Sequence, residues 1–354
     1  MRRMLTPGRL LAALAGAAAG TVVTQAVRTA RARRDLVAEV PLSLRHPMLY
    51  LPLDRVVPQL AWLSKRLPPS AGPVQDGVDV RTEMVTGRHG GPDLEAVLYE
   101  PHGRRRPSAA LLWIHGGGYI VGNPLQGNEL CSRIAAELDV LVLSPDYRLA
   151  PENRFPAALD DCMSALRSLH ARAGELGIDP ARIAVGGDSA GGGLAAAVAQ
   201  RAHDEGVPVC FQLLEYPMLD DRTVLRADAE HLRTLAWTPP ANRYGWTSYL
   251  GHEPRPAPPE PYAVPARRED LSGLPPAWIG VGTLDLFRTE DVEYARRLTE
   301  AGVPVTLHEE PGMYHGADTI VASREVPEMI GFRYRMIEQL RTAFAAQTPA
   351  PQAD

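Results

Sequence analysis

From Ala109 to Glu310 the chain repeats one unit: a short, mainly apolar run, a turn, then a longer amphipathic stretch. Apolar runs with no polar alternation read as strands buried on both faces, and helices between them supply the cover. The runs are AALLWIH, VLVLSPDY, RIAVGG, CFQLLEYP, AWIGVG and PVTLHEE. NELCSRIAAEL, ALDDCMSALRSLHARAGEL, LAAAVAQRA and RTEDVEYARRLTEAG are the helical stretches. Strands alternating with helices mean a mostly parallel sheet with helices on both sides, an α/β fold. Two earlier runs, VRTEMV and LEAVLYE, have no helix between them. They are expected to pair as an antiparallel edge, which brings the sheet to about eight strands.

The rhythm sets the organisation. Residues 1–35 form a basic and apolar leader, with Leu10 to Val27 apolar and Arg28, Arg31, Arg33 and Arg34 following at once. A signal peptide, a single membrane anchor and an Ala-rich leader without an address are all open readings of it. Association with a membrane through residues 10–27 is thus one alternative, and a cytoplasmic or membrane-associated protein is favoured over a secreted one. Residues 36–76 hold short helices in which Met48, Leu49, Tyr50, Leu51, Val56, Val57, Leu60, Trp62, Leu63 and Leu67 ask for a buried surface. The main domain runs over 77–345. Residues 220–250 break the alternation and carry Trp237, Trp246 and Tyr249, so 36–76 and 220–250 together read as an excursion over the sheet. The tail 346–354 is expected to be disordered.

Several classes drop out on composition. A net charge of −5 over 354 residues leaves no basic footprint for nucleic acid. The three cysteines, Cys131, Cys162 and Cys210, are scattered and outside any CxxC, as small buried hydrophobes would be. Neither GxxxxGK[ST] nor HExxH occurs, so nothing favours nucleotide or zinc chemistry.

One turn stands apart. Gly187, Asp188, Ser189, Ala190 and Gly191 spell G-x-S-x-G between the strand RIAV and an Ala-rich helix. That context exposes a serine at the end of a buried strand as a nucleophile. A phosphate-binding turn is the alternative. Acyl transfer by a serine also needs a base, a group that orients the base, and donors for the developing oxyanion. Donors are available at His115-Gly116-Gly117-Gly118, directly after AALLWI, where side-chain-free backbone can turn its N–H groups inward. Two histidines follow the later strands: His315, in a loop with Gly312 and Gly316, and His308, within a strand. The loop suits a base and the strand suits a sheet-face residue. Asp285 follows AWIGVG at a strand's C-terminal end, where open parallel sheets place their sites, whereas Glu290 and Asp291 open the next helix.

HGGG, DYRLAPE (Asp146 to Glu152), GDSAGG, GTLDLF and YHGAD, in this order, resemble the hormone-sensitive-lipase family of α/β-hydrolase-fold esterases. The similarity runs from about Leu94 to about Phe332. It implies the α/β-hydrolase fold with a helical cap made of 36–76 and 220–250. It also implies Ser189 as nucleophile, His315 as base and Asp285 as its partner, with oxyanion N–H groups from Gly116, Gly117 and Ala190. No cofactor and no metal are implied. The chain departs from the family where Leu286 replaces the proline after Asp285, and where Ala317 replaces an aromatic after the histidine.

The expected activity is serine carboxylic ester hydrolysis through an acyl-enzyme, on short- to medium-chain esters or acylglycerols. An amidase or deacetylase of the same family shares every residue named, and a non-catalytic ligand receptor of the same fold would lack the histidine. Tyr119, Tyr216 and Trp237 are candidates for the substrate pocket. Asp188 is expected to make structural hydrogen bonds at the turn. Glu215 either repels anionic substrates or is solvated at a strand end.

Overall fold

The computed structural model describes residues 31, 33–51, 57–67, 71–87, 91–226, 234–321 and 326–347. Most of the leader and the tail beyond residue 347 therefore lie outside the described residues, as do Val56 and residues 10–27.

Eight strands form one sheet: β1 (Val78–Val85), β2 (Leu94–Pro101), β3 (Ser108–Ile114), β4 (Leu141–Pro145), β5 (Ile178–Asp188), β6 (Gln212–Glu215), β7 (Ala277–Gly282) and β8 (Val305–Glu310). Their spatial order is β1-β2-β4-β3-β5-β6-β7-β8. β1 pairs antiparallel with β2, and β2 antiparallel with β4; every later pairing is parallel. The eight expected strands are the eight observed, and the early pair does form the antiparallel edge.

The helices used below are α1 (Val57–Ser64), α2 (Asn128–Leu138), α3 (Ala157–Ala171), α4 (Ala190–Asp204), α5 (Pro239–Leu250), α6 (Arg288–Glu300) and α7 (Pro327–Ala346). Strand side chains alternate between two apolar layers, as pleating requires. Ala110, Leu112 and Ile114 of β3 enter one core with α3, α4, α5 and α6. Leu111 and Trp113 enter the other, with α2 and α7. The alanines of α4 let it lie close against the sheet, and most of its residues are buried.

The stretch 36–76 does not act as one unit. Residues 33–39 are helical, and Leu36, Val37, Val40, Leu44 and Leu49 bury themselves against α7 and the β8–α7 connection. Ser43 Oγ donates to Glu328, and the Tyr314 hydroxyl donates to the Leu44 carbonyl at 3.1 Å. Burial of those five side chains contributes about 1.5–3 kcal/mol each. α1 lies on the other layer, where Ala61 is buried and the helix touches α5. The 220–250 segment meets both layers: α5 touches α1, while Leu235 is buried in the same apolar cluster as Leu36, Val37, Val40, Leu44 and Leu49. Trp62, Leu63, Leu67 and Leu51 are exposed, contrary to the expectation that all the apolar side chains here are covered. The Arg66 guanidinium stacks on the Trp62 ring at 3.8 Å, so the indole is shielded by a cation instead of by the core. The boundary drawn at residue 35 falls inside the 33–39 helix, which Arg33 ties down by donating to the Leu49 and Leu51 carbonyls.

Candidate active site

β5 ends at Asp188 and α4 begins at Ala190, leaving Ser189 alone in the turn with φ 54° and ψ −119°. A non-glycine residue held there costs roughly 1–3 kcal/mol, so the surroundings must over-determine it. They do. The Ser189 N–H donates to the Glu215 carbonyl at 2.8 Å, and its own carbonyl accepts from Gly193 and Met218 N–H groups at 3.0 and 2.9 Å. The turn also presses on β3: a Cβ at Gly191 would collide with the Ile114 carbonyl. The elbow glycines are thus required by close approach.

Three side chains from three strand ends meet at this turn. Ser189 Oγ donates to His315 Nε2 at 2.9 Å, and His315 Nδ1–H donates to Asp285 Oδ2 at 2.8 Å. Asp285 Oδ1 accepts the Phe287 N–H at 2.9 Å, which fixes the carboxylate plane. All three side chains are buried. The imidazole is held edge-to-face between Tyr216 at 4.8 Å and Phe287 at 5.0 Å between ring centroids. A hydroxyl bonded to a base, itself bonded to a carboxylate, can deprotonate as it attacks an electrophile.

His308 is elsewhere. Its Nε2 pairs with Glu310 at 2.8 Å, in β8. Glu290 and Asp291 do open α6, but neither is solvated. Glu290 accepts the Leu219 and Asp220 N–H groups at 2.7 and 3.1 Å, along with the Thr223 hydroxyl. Burial pushes both carboxyls well above the usual range, with Asp220 adding to the effect at Glu290, and Glu290 and Asp285 at Asp291.

The glycine run corrects one expectation. The Gly116 N–H donates to Asp188 Oδ1 at 3.0 Å, and the Gly116 carbonyl accepts from His115 Nδ1 at 2.8 Å. Both ends of that residue are occupied, so it has no donor for an oxyanion. Among the described residues the N–H groups of Gly117, Gly118 and Ala190 find no protein acceptor. Burial lowers His115 to about 4, keeping the ring neutral, and it stacks on Tyr147 at 4.3 Å.

The pocket candidates divide. Tyr119 is fully buried, stacked on Tyr249 at 4.1 Å with its hydroxyl on the Met218 carbonyl at 3.1 Å; it anchors α5 beneath the glycine run. Tyr216 is also buried, donating to Asp318 at 2.8 Å. Only Trp237 borders the open side: half-buried, it lies where a side chain on Gly118 would be, with its ring 6.3 Å from His315. Glu215 is neither solvated nor aimed at substrate. It lies buried under the turn, and burial, with Asp318 and Asp188 nearby, pushes its carboxyl well above the usual range. Asp318 and the α7 residue Arg333, which pair at 3.3 Å, complete this buried group. The spacing of Met329, Phe332, Met336, Ile337 and Leu340 would have marked α7 as a helix with one apolar face.

Residues 111–319 match the family model described as the alpha/beta hydrolase fold. The chain belongs to the α/β-hydrolase family. Esterase LipI of Mycobacterium tuberculosis is 40% identical over 212 residues, 58% of this chain and 64% of that protein. Carboxylesterase NlhH of the same organism is 39% identical over 66% of this chain and 74% of its own. The solved structure of a bacterial heroin esterase superposes with a TM-score of 0.71 at 38% identity, covering 81% of this chain and 97% of that one. This α/β-hydrolase is of the hormone-sensitive-lipase type, and the relatives it matches are named esterases and carboxylesterases.

Proposed function

We propose that this hydrolase cleaves carboxylic esters through an acyl-enzyme on Ser189. Ser189 Oγ attacks the ester carbonyl while His315 Nε2 takes its proton, and Asp285 stabilises the imidazolium through Nδ1–H. The carbonyl oxygen, now an anion, is held by the N–H groups of Gly117, Gly118 and Ala190. Collapse breaks the C–O bond, and the alcohol leaves with the proton from His315. Water, deprotonated by His315, then attacks the acyl carbonyl and releases the acid with Ser189 Oγ protonated again. The observation that carries this reading is the unbroken Ser189–His315–Asp285 hydrogen-bond chain at 2.9 and 2.8 Å.

Short- to medium-chain esters and acylglycerols are the proposed substrates, with Trp237 as the pocket wall beside the oxyanion donors. No helix among the described residues is long and apolar enough to cross a membrane, and residues 10–27 lie outside them. Fractionation of the full chain and of a variant without those residues separates the signal, anchor and leader readings.

The test is Ser189→Ala with p-nitrophenyl esters of rising acyl length. Loss of about 10⁴ or more in kcat, with the fold intact, is expected. A fluorophosphonate should label the wild type alone, and equal labelling of both proteins would reject the assignment.

A further inference from the structure

The last backbone pair between β3 and β5 joins Ile114 to Gly187. Beyond it the two strands part: β5 turns into the serine elbow and β3 runs into His115-Gly116-Gly117-Gly118. The ladder is nonetheless continued by one side chain, because Asp188 Oδ1 accepts the Gly116 N–H at 3.0 Å where a strand carbonyl would have done so. The other carboxylate oxygen packs against the Gly116 α-carbon so closely that a Cβ there would collide with it. On its far side the Gly116 carbonyl is held by His115 Nδ1–H, whose own carbonyl accepts the Tyr147 hydroxyl at 2.9 Å.

We infer that Asp188 is a positioning residue for the oxyanion loop: by holding the Gly116 peptide, it sets the Gly117 and Gly118 N–H groups relative to the adjacent Ser189. The inference rests on the acyl-transfer reading above. Its physical basis is that donor and nucleophile must keep their relative placement to a fraction of an ångström, since a misplacement of about 1 Å can cost about 10²-fold in rate. Glycine loops do not keep such precision unaided. Asp188 solves this locally, because the residue that fixes the loop is covalently next to the serine that the loop serves. Error in one element is carried into the other, and their separation is preserved.

The geometry makes the acceptor oxygen, and not the charge, the operative feature. Asp188→Asn retains an oxygen at the same reach. Asp188→Glu retains the charge but lengthens the arm by one methylene, and Asp188→Ala removes the acceptor.

Kinetics on p-nitrophenyl butyrate and melting temperatures of the four proteins test this. Asp188→Ala and Asp188→Glu should each lose about 10²-fold in kcat with KM within about threefold, because the lost contact serves the transition state. Asp188→Asn should stay within about fivefold of the wild type. Wild-type kcat in either Asp188→Ala or Asp188→Glu overturns the inference, as does a hundredfold loss in Asp188→Asn. If Asp188→Ala fails to fold, the contrast between Glu and Asn decides alone. An inactive Ser189→Ala beside an active Asp188→Ala rejects only this inference, whereas an active Ser189→Ala rejects the acyl-enzyme reading itself.

Discussion

Tyr216 stands edge-to-face with His315 while its hydroxyl donates to Asp318, three residues beyond that same histidine. The imidazole is therefore gripped through a ring contact on one side and through its own chain on the other. Tyr216 also has a positive φ of 35°, so its ring direction is imposed by a strained backbone at the end of β6.

Tyr216→Phe should retain the ring contact and lose the hydrogen bond. A stability loss of about 0.5–1.5 kcal/mol, with kcat lowered less than tenfold, is the expected outcome in urea titration and steady-state assays. Tyr216→Ala removes both and should lower kcat further.

His315→Ala should be nearly as inactive as Ser189→Ala, since a serine without its base is a poor nucleophile. His308→Ala should lose less than about tenfold, because His308 meets Glu310 and Phe332 and not the serine. A pair of ester-hydrolysis rates checks this.

Gly116→Ala places a methyl group against the Asp188 carboxylate and backbone carbonyl. Only the carboxylate can swing away, and doing so gives up the Gly116 N–H. The variant should lose about 10²–10³-fold in kcat, the scale of one misplaced oxyanion donor. Circular dichroism and kcat measured together separate this from unfolding.

Two groups near the loop give stability opposite pH dependences. Burial, reinforced by Asp318, pushes the Asp188 carboxyl up to about 7, although it keeps partial solvent access. Glu215, Asp318, His315, Tyr216, Tyr147 and Cys131 are the titratable groups in electrostatic reach of it. Its native form binds the proton more tightly than the unfolded chain does, so it favours folding at low pH. That contribution fades between about pH 4 and 7. His115 is lowered to about 4 by burial, so its contribution is complete above about 6.5 and fades as pH falls through 4. Asp188→Asn should remove the first trend from a plot of melting temperature against pH, and His115→Asn the second.

Removing residues 1–30 should leave activity on short esters and solubility near wild type, since Arg33 and the buried side chains after it remain. Removing 1–50 uncovers the α7 layer that Leu36, Val37, Val40, Leu44 and Leu49 occupy, and should lower the melting temperature or abolish soluble protein. Scanning fluorimetry of both truncations distinguishes these outcomes.

The strands and the Ser189–His315–Asp285 set were legible because their signals are local: apolar runs, a glycine-flanked serine, and reacting residues just past strand ends. What escaped was decided between distant segments. Gly116 and Asp188 are 72 residues apart, and nothing in either neighbourhood says that one has already claimed the other's N–H. The 36–50 segment is apolar, but a sheet apolar on both faces offers two surfaces, and composition does not choose between them. Glu215 ends a strand, which suggested solvent; the turn of Ser189 and α7 together cover it. α7 itself was readable, with apolar residues at helical spacing and Arg333 on the same face.

Arg333 gives the order of synthesis a meaning. It is the cation paired with Asp318 below the nucleophile, and it lies on a helix made after Ser189, Asp285 and His315 have all been translated. A nascent chain that has just acquired its last reacting side chain still holds Glu215 and Asp318 without that counter-charge, beneath a layer that α7 has yet to close. Docking of α7 is therefore what supplies the counter-charge to Asp318, and it can only follow translation of all three reacting side chains.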